Sequence, residues 1–155
     1  MTQLCFDLDM PLAAPPARQR HRGLHKHHRG QLAYLAGLAA EDQVVTHYLT
    51  RGYHLEAARW RGKAGEIDLI LRPPDRDGFV FVEVKKSRSF GHALARVSPR
   101  QAQRIMRAAE EFLGQCGAGL LTNMRFDVAM VDTQGQIEVL ENAFAGGGWD
   151  HLSDH

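Results

Sequence analysis

The spacing of hydrophobic residues changes period several times along this chain, and each change marks an element. From Gln31 to Arg51 the apolar residues Leu32, Leu35, Leu38, Ala39, Val45, Tyr48 and Leu49 recur at three- and four-residue steps, the pattern of a helix with one buried face. Gly37 weakens its first half, so the helix is expected over about 38–51, with Gly52 as the residue that ends it. The period then falls to two. Tyr53, Leu55, Ala57 and Arg59 alternate with His54, Glu56, Ala58 and Trp60, which predicts a strand. Two further β-rich runs follow, Gly65-Glu66-Ile67-Asp68-Leu69-Ile70 and Phe79-Val80-Phe81-Val82-Glu83-Val84-Lys85-Lys86. Between them Arg72-Pro73-Pro74-Asp75-Arg76-Asp77-Gly78 supplies paired prolines, two aspartates and a closing glycine, so the two runs read as an antiparallel hairpin.

Ser98-Pro99-Arg100-Gln101 is a helix start. The serine caps, the proline takes the first helical position, and Gln101 can close a capping box. The helix is expected to reach about Leu113 and to stop at Gly114, burying Ala102, Ile105, Met106, Ala109, Phe112 and Leu113. Met124–Asp132 reads as a strand, Gly135 as a turn and Gln136–Leu140 as the returning strand. The sum is an α/β fold: a helix, a mixed sheet holding the hairpin, a second helix packed on it and a closing hairpin.

Composition bounds the rest. The 155 residues support one core-bearing domain, and 44% hydrophobic content is ordinary for one. Residues 1–30 read as a disordered tail, with Pro11, Pro15 and Pro16 followed by the basic, histidine-rich run Arg18–Arg29. That run is a solubilising extension, an arm that touches phosphates, or an adventitious metal binder. Residues 31–145 form the domain and 146–155, opening on Gly146-Gly147-Gly148, a flexible tail. Cys5 and Cys116 lie far apart without metal spacing. No apolar run approaches bilayer length and no secretion signal opens the chain, so a cytoplasmic protein without membrane contact is expected. Net charge is only +1, so any polyanion partner must be gripped by local clusters of charge.

The hairpin carries the candidate chemistry. Side chains alternate along a strand, so Glu66 and Asp68 are expected on one face of the first run, and Glu83 and Lys85 on one face of the second. Ile67, Leu69, Val80, Val82 and Val84 would point the other way, into a core. An acid set among valines is costly unless something compensates it. A Mg²⁺ (or Mn²⁺) ion would, held by two carboxylates with water and a substrate phosphate completing its shell. Lys85 would then orient water or neutralise charge in the transition state. The plainer alternative is a Glu83–Lys85 ion pair on a solvated sheet face.

These runs resemble the bacterial YraN family, placed in the restriction-endonuclease-like superfamily, whose pattern is an acid, a short gap, then Asp/Glu-x-Lys. The resemblance runs from about Gly37 to Phe144. It matches Asp68 to the first acid, and Glu83 and Lys85 to the second half. It also implies a helix glutamate near the metal. Counting back eleven residues from Gly52-Tyr53 lands on Glu41, although Ala40 stands where the family usually has glycine. Ser87 stands where the family usually places an arginine, with Arg88 one later. Val97-Ser98 introduces the family's basic helix, Arg125-Phe126-Asp127-Val128 matches its Arg-Phe-Asp run, and Glu141-Asn142-Ala143-Phe144 matches its end.

The remaining candidates surround that hairpin. Lys86 and Arg88 leave it in a basic loop. Arg100, Arg104 and Arg107, with Gln103 beside them, fall on one face of the second helix, as a phosphate-tracking face or as a solvated one balanced by Glu110 and Glu111. Trp60 reads as core cover, His92 as a solvated loop histidine, and Asp127 as a residue that pins the fold. The combined expectation is a Mg²⁺-dependent nuclease-like protein acting on nucleic acid, DNA in preference to RNA, with Asp68, Glu83, Lys85 and Glu41 as catalytic residues and Asp68, Glu83 and Glu66 on the metal. A homodimer would suit recognition of a nucleic-acid shape. The alternative is a non-catalytic nucleic-acid-binding protein with a vestigial metal site. Gln3–Leu8 faintly resembles peptides that dock on the bacterial sliding clamp, a third kind of partner.

Overall fold

The computed structural model of the chain describes residues 29, 31, 38–89, 91, 97–119 and 121–145. The expectations for residues 1–28, Leu32, Leu35, Gly37, His92 and 146–155 lie outside them. The chain divides into two compact units, residues 1–33 and 34–155, and the elements below belong to the second. In order they are a helix at 38–49 (α1), β1 His54–Arg61, β2 Glu66–Arg72, β3 Phe79–Lys86, the helix α2 Pro99–Cys116, β4 Met124–Val131 and β5 Ile137–Leu140.

The five strands form one sheet in chain order. β1, β2 and β3 pair antiparallel, β3 and β4 pair in parallel, and β4 and β5 antiparallel. Parallel neighbours need a crossover, and α2 lies within it. The result is the expected α/β fold with a mixed sheet, compatible with a restriction-endonuclease-like core. Phe79 to Val82 are buried on both faces, as a central strand with a parallel neighbour requires. On one face Ala40, Val44 and Tyr48 of α1 pack on Leu69, Leu71, Val80, Val82, Ala129 and Val131. On the other, Ala108, Ala109 and Leu113 of α2 pack on Ile67, Ile70, Phe79 and Phe81. Among the described residues, no helix is long and apolar enough to cross a membrane.

Several local expectations need correction. The buried stripe of α1 is Ala40-Val44-Tyr48, at four-residue steps, while Leu49 is exposed. Helix α2 passes through Gly114 and ends at Gly117, whose φ of 69° lets its N–H return to the Leu113 carbonyl. In β1 the register shifts between Leu55 and Ala57, and Arg59 adopts a φ of 49°. Strict alternation therefore fails, and Ala57 and Trp60 both pack on the α2 side. Trp60 covers the core as expected, edge-on to Phe112 at 5.7 Å. Ile67 also joins the α2 side, apart from Leu69, Val80, Val82 and Val84.

One buried charge ties this frame together. Asp127 is 1% exposed and accepts four hydrogen bonds: from Tyr48 Oη at 2.8 Å, from Arg125 Nε and Nη2 at 2.9 Å each, and from the Asn142 N–H at 3.0 Å. Arg125 also donates to Tyr53 Oη at 2.9 Å. The carboxylate thus links α1, the entry to β1, β4 and the segment after β5, and it pins the fold as the sequence suggested. Burial and the negative Asp127 hold the Tyr48 phenol well above its usual range. Removing one member of such a pair strands the other charge. Asp127→Ala is therefore expected to cost about 3–5 kcal/mol in urea unfolding, and Tyr48→Phe about 1 kcal/mol. An unchanged urea midpoint for Asp127→Ala would show that the hub is not structural.

Candidate functional site

Strands β2 and β3 keep a hydrogen-bonded register from Leu69–Val82 to Leu71–Val80. Asp68 is the next residue along, and there the ladder stops. Its Oδ2 instead accepts the Val84 N–H at 2.8 Å, so a side chain takes over where the backbone partner leaves. Strand β3 does not fray at this point, because β4 continues to pair with it as far as Lys86. The opening is a fork with one rigid prong, and the polar residues of the hairpin sit in it.

Asp68 and Glu83 come close enough to share a hydrogen bond. Burial, first, and then the charge of Glu83 push the Asp68 carboxyl up to about 7, with Glu41 adding to the rise and the Val84 N–H opposing it. Glu83 is held from two sides. Its Oε1 accepts from Lys85 Nζ at 3.0 Å and from Gln101 Nε2 at 2.6 Å. The Glu83–Lys85 ion pair of the plainer alternative therefore forms, but with side chains only 11% and 17% exposed it does not lie on a solvated face. Glu41 approaches from α1, its Oε2 bonded to Arg59 Nε at 2.9 Å. The left-handed backbone of Arg59 falls between the Ala58–Leu69 and Trp60–Ile67 pairs of the β1–β2 register, beside Asp68.

The structure therefore brings Asp68, Glu83 and Lys85 together and sets Glu41 within electrostatic reach. Glu66 stands apart, 40% exposed and paired with Arg61 at 3.2 Å. The expectation that it shares a face with Asp68 assumed unbroken alternation, and the Ile67 side chain shows the break. Among the described residues no three His, Cys, Asp or Glu side chains form a metal-holding group, so the acids are a pair. That pair still fits a hard divalent ion. Two half-buried carboxyls side by side, with Asp68 pushed up by burial and by the charge of Glu83, are an oxygen donor set that a cation would relieve.

Gln101 is a site residue that the sequence did not single out. Ser98 Oγ accepts the Gln101 N–H at 3.1 Å, so half of the expected capping box forms. The glutamine side chain completes the acid site instead of the box. A helix-start motif has a sufficient local explanation, and nothing local says that the first turn of α2 lies over the end of β3. Arg100, Gln103, Arg104 and Arg107 line one groove on α2, together with Lys63. Lys86 lies elsewhere, beside Ala40, Gln43 and Asp132 on the α1 side, and Arg88 is exposed in the bend after β3.

Comparison with known proteins agrees with the resemblance read from the hairpin. Residues 40–131, which include every strand but β5, match the model of the uncharacterised protein family UPF0102. A UPF0102 protein of Roseobacter denitrificans is 54% identical over 121 residues, covering 77% of this chain and 92% of that protein. A UPF0102 protein of Ruegeria pomeroyi is 53% identical, covering 77% and 95%. One from Cereibacter sphaeroides is 51% identical, covering 75% and 97%. The family match thus spans the fork, both of its acids and the first turn of α2, and the chain belongs to the uncharacterised protein family UPF0102, the YraN family.

Proposed function

We propose that this chain is a metal-dependent phosphodiesterase of the nuclease type, acting on nucleic acid. The observation that carries the reading is the convergence of Asp68, Glu83 and Lys85 in the fork between β2 and β3. Asp68 and Glu83 would hold a Mg²⁺ or Mn²⁺ ion. Such an ion, when bound, polarises a phosphoryl oxygen and acidifies water.

The chain's own groups do the rest. The Val84 N–H fixes one oxygen of Asp68, and Gln101 fixes the carboxylate of Glu83, so both acids are oriented before substrate arrives. Lys85 places an ammonium 3.0 Å from Glu83, where it can orient water or meet charge developing on the transferring phosphoryl group. Glu41 deepens the negative potential from the α1 side while Arg59 holds its side chain in place. In-line attack on phosphorus needs orientation and charge compensation rather than a covalent intermediate.

A second reading has one observation in its favour. Glu83 Oε1 is already occupied by Lys85 and Gln101. A site satisfied internally in this way suits a nucleic-acid-binding protein with a vestigial metal centre.

Two experiments separate the readings. The first follows from the raised Asp68 carboxyl. Its folded value of about 7 lies above the ordinary aspartate value of 3.8, so the folded state binds the extra proton. That stabilising contribution is full below about pH 4 and is lost as pH rises through 7. In metal-free buffer Asp68→Asn is therefore expected to exceed the parent in stability at pH 8, by about 1–3 kcal/mol, with the gap closing at pH 4. Mn²⁺ should raise the melting temperature of the parent and leave Asp68→Asn unmoved. Equal responses of the two proteins to Mn²⁺ would end the metal-site idea.

The second experiment is a panel of branched, flapped, single-stranded and duplex substrates with Mn²⁺. Lys85→Ala is expected to cut at least about a hundredfold more slowly than the parent. Metal binding by the parent with no cleavage of any substrate would favour the binding reading.

A further inference from the structure

Away from the acid pair, the loop at 62–65 and the exposed face of α2 enclose an open groove of about 760 Å³, lined by Lys63, Ala64, Arg100, Gln103, Arg104, Arg107 and Glu111. The loop wall is stapled in place. The Glu111 carboxylate accepts the Lys63 N–H at 2.9 Å and the Ala64 N–H at 3.0 Å. These two bonds, with the charge of Lys63 adding to them, hold the Glu111 carboxyl pKa below the usual carboxylate range. The approach needs a glycine at position 62, since a Cβ there would overlap both the Glu111 carboxylate and the Trp60 ring. The one acid in the groove is thus committed to the loop backbone. Among the described residues, no ion pair takes up Lys63, Arg100, Arg104 or Arg107.

We infer that this groove is a track for the phosphate backbone of double-helical nucleic acid, read without regard to base sequence. The inference rests on the nuclease-type reading for the identity of the polyanion, and three features support it. From Arg100 to Arg107 the helix advances about 10 Å, about three axial steps between successive phosphates of one strand. The row begins beside the acids, because Arg100 precedes Gln101, whose side chain holds Glu83. A strand lying along α2 is therefore led to the fork. The lining contains neither an aromatic nor a large apolar side chain. Proteins that grip single strands stack the unpaired bases on such side chains, whereas a duplex keeps its bases stacked on each other and presents its phosphates on the outside.

The test is binding of the full chain to labelled oligonucleotides in chelating buffer, so that no cleavage occurs, with salt varied. A duplex should bind more tightly than either of its separated strands, irrespective of sequence. Arg104→Ala combined with Arg107→Ala should lower the slope of log affinity against log salt by about 2 for the duplex. Both changes are on exposed side chains, and a melting curve verifies that the fold is kept. Lys63→Ala, on the opposite wall, should lower the slope by about 1. Single strands bound as tightly as duplex, or a slope unmoved by the double substitution, would overturn the proposal. Because metal is absent, the two readings fail separately. A chain that binds as described and never cuts leaves the groove standing. A chain that cuts with its salt slope unmoved by the double substitution removes the groove alone.

Discussion

Strands β2 and β3 stay together for as long as their backbones exchange hydrogen bonds, and they separate where the Asp68 carboxylate takes the Val84 N–H. That substitution of a side chain for a backbone carbonyl shapes everything around it. It lets β2 turn toward the loop at 62–65 without leaving a buried N–H unpaired. It holds Asp68 beside Glu83, whose charge together with burial raises the Asp68 carboxyl. It also leaves β3 free to carry Glu83 and Lys85 past the end of its partner, supported from the other side by β4. A fork of this kind creates a polar recess inside an otherwise apolar sheet.

The two aspartates of the sheet, Asp127 buried and Asp68 half-buried, show how environment separates structure from chemistry. Asp127 has four donors, two of them from a guanidinium, and every lone pair it needs is satisfied. Such a carboxylate has nothing left to offer a ligand. Asp68 has one donor and two negative neighbours, and its carboxyl rises to about 7. Desolvation together with like charge is the arrangement that marks functional acids. The contrast also connects the two residues. Asp127 fixes Tyr48 near the end of α1, and α1 carries Glu41 toward the fork, so the hub sets where the outer charge of the site falls.

Much of this was legible in the amino-acid order because it rests on local rules. Period-two alternation along 79–86 set Glu83 and Lys85 on one face, and the prolines and glycine between the strands made the hairpin antiparallel. Ser98-Pro99 announced the start of α2. Where the reading failed, a tertiary contact had overridden the local period. Ile67 crosses to the α2 side at the fork, so Glu66 does not follow Asp68 and pairs with Arg61 instead. The stripe of α1 shifted to Ala40, Val44 and Tyr48, the helix positions that meet strands distant in sequence. Gln101 and Glu111 looked like a cap and a solvated acid, since their partners lie 18 and 47–48 residues away.

The placement of charge explains how a protein with a net charge of only +1 can hold both an acidic recess and a basic track. Arginines set among the acids would neutralise them and compete with any cation. Among the described residues, Lys85 and, through Glu41, Arg59 are the cations paired there. The guanidinium groups of α2 are displaced to the adjoining groove, where Glu111 is withdrawn from them by the loop amides. Gln101, uncharged and on the same helix, touches Glu83 and adds no countercharge. One rigid helix thus orders the two fields in sequence, neutral at the acids and cationic beyond them. A polyanion drawn along the cationic face would meet the acid pair end-on, and the pair can accept a phosphate only with a cation between them.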